Sequence, residues 1–124
     1  MLRDSKAFSG FAVDDLEAAR RFYGETLEQQ VEVVDDEELT LRLAGDRPTE
    51  IYLSPDLTPP SYTILNFPVE DVDAAVEWLS ARGVSFERYE GMDQEPNGVL
   101  KGAGPDIAWF KDPAGNTISV VEEK

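Results

Sequence analysis

The chain contains neither cysteine nor histidine among its 124 residues. The lack of cysteine excludes a disulfide framework, a thiolate nucleophile and any cysteine-based metal site. The lack of histidine removes the commonest metal ligand and the usual base that activates a serine nucleophile. The familiar thiol and Ser-His mechanisms are therefore excluded by composition alone.

Long apolar runs are also missing. No stretch approaches the roughly 18–20 apolar residues that a membrane-spanning helix requires. The first six residues include three charged side chains, and no apolar segment follows them as it would in a signal peptide. We therefore expect a cytoplasmic protein with no membrane partner.

Positive charge is scarce, because 11 Lys and Arg residues face 26 Asp and Glu residues, for a net charge of −15. Such a surface should repel nucleic acid, so we expect no nucleic-acid partner. It could attract a cationic ligand, or it could serve solubility or adaptation to a high-salt cytoplasm. The sharpest acidic run, residues 35–38, lies between two apolar alternations and predicts a hairpin turn.

What the sequence does contain is an internal repeat with a spacing of 56 residues. The first copy comprises Phe11, Val13, Asp15, Leu16, Ala18, Ala19 and Phe22, and the second comprises Phe67, Val69, Asp71, Val72, Ala74, Ala75 and Trp78. Two copies are too few for a solenoid. They indicate two similar modules that share a cleft within one domain over residues 1–124.

Each half begins with an alternating segment, continues with a helix capped by Asp15 or Asp71, and then returns to short apolar alternations. The predicted strands are residues 7–13, 31–34, 39–43 and 50–53 in the first half, and 62–69, 84–89, 107–110 and 117–121 in the second. Gly83 is expected to end the second helix. Residues 112–116 predict a hairpin turn.

The predicted module boundaries follow from proline and glycine. Module 1 covers about residues 1–55, a proline-rich linker covers about 54–60, and module 2 covers about 61–124. Residues 91–105 predict a long loop, which could be a lid over a cleft or an ordinary surface loop.

Several segments together resemble the vicinal oxygen chelate superfamily, which includes glyoxalase I, extradiol dioxygenases and bleomycin resistance proteins. The resembling segments are residues 11–23 (FAVDDLEAARRFY), 69–75 (VEDVDAA), 81–84 (ARGV) and 110–116 (FKDPAGN). The resemblance implies an α+β fold with two tandem βαβββ modules forming an open barrel-like mixed sheet around a cleft. It also implies a small-molecule ligand and, since dimers are common in this family, a homodimer.

Catalytic members of that superfamily hold one divalent metal with His, Gln or Glu from four strand positions. Placed by their offsets from Asp15, Asp71 and Asp112, these positions fall at Phe8, Ile64 and Ser119, and the fourth falls near Tyr52. None of these side chains is a usual ligand for a divalent ion. We therefore expect no metal and no cofactor.

Strand parity extends from these positions to a set of candidate residues that line the cleft. The candidates are Phe8, Arg42, Glu50, Tyr52, Ile64, Asn66, Trp109 and Ser119. From the strand at 107–110, either Trp109 or Ala108 would line it. Other roles stay open: Phe8 and Tyr52 could plug a collapsed barrel, Arg42 could form a surface ion pair, and Asn66 could hydrogen-bond a neighbouring loop.

The sequence thus favours a metal-independent small-molecule binding protein that resembles the bleomycin-resistance branch and sequesters a cationic or planar ligand. One alternative is a glyoxalase-like lyase or dioxygenase with a non-standard metal site that uses Glu50 and Asp106. Another is a ligand-free dimeric interaction module. No residue stands out as catalytic.

Overall fold

The computed structural model describes residues 1–123, and the segment from Met1 to Thr58 forms one unit of the chain. After a short 3-10 turn at Leu2–Asp4, the elements of this unit follow the predicted β-α-β-β-β order. They are β1 (Ser9–Val13), α1 (Leu16–Arg21), β2 (Gln30–Asp35), β3 (Glu38–Leu43) and β4 (Arg47–Leu53), with a π-helical extension of α1 at Phe22–Thr26.

The four strands form one mixed sheet in the order β1-β4-β3-β2, in which β1 runs parallel to β4 and the other pairs are antiparallel. One face of this sheet packs against α1 and its extension. The ring centroids of Phe11 and Tyr23 lie 5.6 Å apart, and Leu41 and Ile51 are completely buried. Because side chains alternate along a strand, the even-numbered residues of β1, β3 and β4 face away from α1.

Local hydrogen bonds explain where the helices and the first hairpin begin. The Asp15 carboxylate accepts the Ala18 N–H at 3.0 Å, and the Asp71 carboxylate accepts the Ala74 N–H at 3.1 Å, so both copies of the repeat cap a helix as predicted. The acidic run forms the β2–β3 turn, in which Asp35 accepts the N–H of Glu37 at 2.8 Å. The predicted turn at this run is confirmed.

The residues from Pro59 onward form a second unit. Its elements are β5 (Thr63–Val69), α2 (Val72–Ala81), β6 (Ile107–Lys111) and β7 (Thr117–Glu122). They build a three-stranded sheet in the order β5-β7-β6, with β5 parallel and β6 antiparallel to β7. Helix α2 contacts β6 and β7, and its buried side chains join the apolar sheet face in the core of the unit.

The predicted strand at residues 84–89 is wrong, since only Phe86 forms an isolated bridge, to Phe110. The reason is one side chain. Gln94 accepts the Tyr89 N–H at 2.7 Å through Oε1 and donates to the Glu87 carbonyl at 2.9 Å through Nε2. The Glu87 N–H still donates to the Trp109 carbonyl of β6 at 2.8 Å. Beyond this contact the Gln94 amide takes the backbone groups of the segment, so the segment does not continue as a strand of the sheet.

Residues 91–105 form the predicted loop, and side chains fix it at several points. Arg88 donates to the carbonyl groups of Gln94, Glu95 and Pro96 at 3.0–3.2 Å. Further along, Asn97 and Lys101 donate to the two carboxylate oxygens of Asp73 on α2, at 2.9 and 2.8 Å. The loop is therefore anchored to the unit both at its start and near its end.

The predicted turn between β6 and β7 is confirmed. The Asp112 N–H donates to the Asn116 carbonyl at 2.9 Å, and the buried Asp112 carboxylate accepts the N–H groups of Ala114 and Asn116. Gly115 has a φ of +93°, a left-handed conformation that glycine adopts without strain.

The architecture is the α+β fold predicted from the sequence, with two open mixed sheets, one in each unit. The second strand of the second module, predicted at residues 84–89, is the part that is reduced to a single bridge. Among the helices of residues 1–123, none combines the length and apolar character needed to cross a bilayer.

Candidate functional site

Three predicted site residues lie side by side across the second sheet. Asn66 on β5 pairs with Ser119 on β7, and Ser119 pairs with Trp109 on β6. The Ser119 hydroxyl donates to the Asn66 side-chain oxygen at 2.5 Å. Ser119 is completely buried while Asn66 is exposed, so this hydrogen bond links a buried side chain to one at the surface. We call Asn66, Ser119 and Trp109 the polar–aromatic row.

An aromatic pair extends this row. The ring of Tyr89 meets the ring of Trp109 edge to face, with centroids 5.4 Å apart and planes inclined by 74°. Burial and the neighbouring Glu87 carboxylate raise the pKa of Tyr89 above its ordinary value of 10.0, so the phenol stays neutral at physiological pH. Tyr89 was missed by the sequence prediction, because the segment that carries it was assigned to a strand of its own.

The register places Trp109 and Ala108 on opposite faces of the second sheet. Ala108 pairs with Val120, is completely buried, and belongs to the apolar face of the sheet. Trp109 lies on the opposite face with Asn66 and Ser119, and it is only partly buried. The indole ring is thus the contribution of β6 to the row.

Ile64 is placed less regularly. Between Thr63 and Leu65 the pairing of β5 with β7 shifts by one residue, so Ile64 lies in a β-bulge. Bulges re-aim the side chains around them. Strand parity counted from Asn66 is therefore not a secure guide to the direction of Ile64, which is half-buried.

Most candidate residues of the first half share one face of the first sheet. Arg42 from β3 and Glu50 and Tyr52 from β4 occupy positions of the same parity. Thr40 on β3 and Gly10 on β1 lie on the same face. This is the face directed away from α1. Phe8 precedes β1 and is 64 % exposed, and Tyr52 is 44 % exposed.

The charged side chains on this face are largely engaged with one another. Arg42 donates through Nε to Glu32 of the adjacent strand β2, in a partly exposed ion pair. Glu38 lies diagonally across from Glu50. Burial, followed by the charge of Glu50 and a hydrogen bond with it, raises the pKa of Glu38. Glu38 was missed as a site neighbour because its acidic run was assigned to the turn.

The two sheets can be compared through the repeat. Gly10 and Asn66 are 56 residues apart, Gly10 pairs with Glu50, and Asn66 pairs with Ser119. By this register Glu50 is the counterpart of Ser119, two residues before Tyr52 and on the same face of the sheet. Glu50, and Glu38 opposite Tyr52, are therefore carboxylates close to the positions at which catalytic members of the family would place metal ligands.

The donor atoms at those positions do not fit a divalent metal. Phe8 and Ile64 carry no donor, and the Ser119 hydroxyl is committed to Asn66. Within residues 1–123, no three Asp or Glu side chains come close enough together to hold a metal ion. Asp106, the other ligand considered, lies just before β6, and its N–H donates to Glu122.

Comparison with known proteins gives one family. Residues 8–120 match the model of the glyoxalase/bleomycin resistance protein/dioxygenase superfamily. Among the curated proteins, none matches the chain significantly.

Solved structures with the same fold cover nearly the whole chain. A superfamily member from Sphaerobacter thermophilus DSM 20745 is 25% identical, with a TM-score of 0.65 over 96% of this chain and 98% of its own. TnmS3, an antibiotic binding protein from Streptomyces sp. CB03234, is 24% identical, with a TM-score of 0.67 over 98% of both chains. The fosfomycin resistance protein FosX from Listeria monocytogenes is 15% identical, with a TM-score of 0.73 over 98% and 94%.

Proposed function

Because the chain belongs to the glyoxalase/bleomycin resistance protein/dioxygenase superfamily, we propose that it binds a planar small molecule without a metal ion. The polar–aromatic row is the proposed binding surface. It offers what small-molecule sites combine, namely apolar ring surface for contact area and a few fixed polar groups for orientation. The resulting role is sequestration of an organic compound, as in the bleomycin-resistance branch that the sequence resembles.

The observation that carries this proposal is the Ser119–Asn66 hydrogen bond beside the Trp109 ring. Ser119 hydrogen-bonds the side-chain oxygen of Asn66, and the amide nitrogen of Asn66 forms no hydrogen bond within residues 1–123. It is a donor with a fixed direction on an exposed part of the sheet. The indole ring next to it provides the face on which a planar ligand can stack.

Metal independence is proposed from the donor set. Two of the four positions carry hydrocarbon side chains, and the hydroxyl at a third is bound to an amide. Affinity would then come from ring stacking and hydrogen bonds rather than from ligand oxygens bound to an ion. Of the two ligand properties expected from the sequence, planarity is the one supported by named contacts. A positive charge is favoured only by the net charge of −15.

Binding is tested with the Trp78→Phe protein, in which Trp109 is the only tryptophan left. EDTA-treated protein is titrated with proflavine, acridine and anthraquinone-2-sulfonate while the Trp109 fluorescence is recorded. We expect quenching by at least one probe, and binding weakened roughly three- to tenfold by Asn66→Ala, the loss of one hydrogen bond. Gln30→Ala, an exposed amide on β2, is the control. If none of the three probes quenches the Trp109 fluorescence, the proposal is refuted.

An enzymatic function is the second candidate, and the Glu38–Glu50 pair favours it. A carboxyl group whose pKa is raised, as that of Glu38 is, can act as a general acid beside a second carboxyl group. This pair replaces the combination of Glu50 and Asp106 considered from the sequence. Turnover of a bound probe that Glu50→Gln abolishes, with binding unchanged, would identify the protein as an enzyme rather than a binding protein.

Homodimerisation remains a proposal, with β2 as the contact segment. This strand lies at the edge of the first sheet, and it exposes 65 % of Val33 and 53 % of Val34. Exposed apolar edge strands favour pairing with another strand. Light scattering behind a sizing column should give twice the mass of the chain, and Val33→Lys should halve it. A monomer at high concentration would contradict the proposal.

A further inference from the structure

A groove of about 710 Å³ lies at the end of the first sheet, where β1 begins and β3 turns into β4. It is built from residues of the first unit alone. Among its lining residues are Lys6, Phe8, Arg42, Asp46 and Arg47. The volume is in the range of small-molecule sites.

The charge of this groove is opposite to that of the protein. Lys6, Arg42 and Arg47 are three of only 11 basic residues in the chain, whereas Asp46 is the single lining residue among 26 acidic ones. Chance would place more acidic than basic side chains here. Because charges separated by more than about 10 Å are largely screened at physiological salt, the local excess governs what the groove attracts at short range.

Two of the three cations form no ion pair in the part of the chain that the structure describes. Within residues 1–123, Lys6 and Arg47 form no ion pair, in contrast to Arg42, which is held by Glu32. The backbone places Arg47 at the groove, since it lies opposite Leu43 across a turn in which Gly45 and Asp46 have φ values of +82° and +57°. Both cations therefore remain available to an external anion.

The groove also has an apolar side. Phe8 is 64 % exposed, although a phenyl ring would normally be buried. A bound molecule with an apolar part would cover this ring while its charged end meets the cations. An arginine beside it can offer two parallel N–H groups to one carboxylate or phosphate.

We propose that this groove binds a small organic anion whose carboxylate, phosphate or phosphonate group contacts Arg47 and Lys6 and whose apolar part lies on Phe8. The groove shares no residue with the polar–aromatic row, and its existence does not depend on the function proposed for that row.

The test uses benzoate and phenylphosphonate as anionic probes and benzylamine as the cation of matched size. Binding is followed by ¹H–¹⁵N NMR of the full chain. We expect both anions to shift the amide resonances of residues 6–9, 42–47 and 49, and benzylamine to leave them unchanged. Arg47→Gln should weaken anion binding about tenfold, the effect of one charge-assisted hydrogen bond. Lys6→Gln, outside regular structure, provides a second variant that spares the sheet.

Arg21→Gln is the matched control, because it makes the same change in net charge at an exposed position on α1. It should leave anion binding unchanged. Equal weakening by Arg21→Gln and Arg47→Gln would overturn the proposal by assigning the effect to net charge. Absence of shifts with either anion, or equal shifts with benzylamine, would also overturn it. Neither result bears on the quenching of Trp109, so the two proposals fail independently.

Discussion

The Ser119 hydroxyl donates a hydrogen bond to the Asn66 side-chain oxygen across the parallel strands β7 and β5, with the oxygens 2.5 Å apart. At the equivalent place in the first unit, Gly10 faces Glu50 and offers no side chain. The two halves of the repeat therefore share a backbone pattern and differ in chemistry. This difference is why we assign the planar ligand to the second sheet.

The contribution of that hydrogen bond to stability can be measured. Ser119→Ala should lower the free energy of unfolding by about 1 kcal/mol, the usual net value of one hydrogen bond. The loss stays small because Asn66 is exposed and water can replace the hydroxyl. Urea unfolding provides the value, with the exposed Ser85 changed to alanine as control. Equal stability of the Ser119→Ala protein and the wild type would contradict the assignment.

The Asp112 carboxylate should matter more. It is buried, and it accepts the Ala114 N–H at 3.0 Å, the Asn116 N–H at 2.8 Å and the Asn116 side-chain amide at 3.0 Å. Asp112→Ala leaves these donors without their acceptor, so we expect a loss of about 2–4 kcal/mol in thermal or urea unfolding. Asp93→Ala, in the exposed loop, should have no effect. If Asp112→Ala lowers the free energy of unfolding by less than Ser119→Ala does, water must hydrogen-bond the N–H groups of the turn in its place.

Gln94 should control the order of the segment before the loop. Because its side chain accepts the Tyr89 N–H, Gln94→Ala should expose that amide and speed its hydrogen exchange, while the amides of β7 keep their protection. Hydrogen exchange followed by NMR separates the two sets. Unchanged exchange at Tyr89 in the variant would mean that the segment is held by other contacts.

The pairing of Asp73 with Lys101 predicts a pH dependence. Hydrogen bonds from Lys101 and then from Asn97 lower the pKa of Asp73 below its ordinary value of 3.8. A carboxyl group whose pKa falls on folding adds stability above its unfolded pKa, and this stability is lost as the pH falls through the lower folded value. Both side chains are largely exposed, so solvent screens the pair and we expect only a small contribution to the free energy of unfolding.

The matching measurement compares the wild type with Lys101→Gln between neutral pH and pH below 3.8. The wild type should be more stable at neutral pH, and the difference should shrink on acidification as Asp73 becomes protonated. Arg3→Gln makes the same charge change without this contact. A difference that is independent of pH, or equal in the two variants, would contradict the assigned pair.

The sequence was sufficient where local chemistry decides structure. Asp15 and Asp71 cap helices because a short carboxylate just before a helical apolar pattern can accept an N–H of the first turn. The alternation of apolar residues located seven of the eight predicted strands. The strand at 84–89 was wrong because the Gln94 side chain replaces a strand as its partner. Propensity along the segment carries no sign of that contact.

The site depended on register, which the sequence does not contain. The Asn66–Ser119 pair joins residues 53 positions apart, and the bulge at Ile64 becomes visible only in the pairing of β5 with β7. The cationic groove likewise joins Lys6 to Arg47 through the parallel pair of β1 and β4. The family resemblance supplied the fold, whereas these contacts required the structure.

Native mass spectrometry of EDTA-treated protein tests metal-independent ligand binding most directly, because one spectrum shows whether a metal ion, a ligand or both are bound to the chain. We expect the mass of the bare chain or its dimer, no uptake of Zn²⁺ or Mn²⁺ at one ion per chain, and one proflavine or acridine molecule added per chain. Uptake of one divalent ion per chain, with probe binding only after that uptake, would contradict metal-independent binding and favour the enzyme.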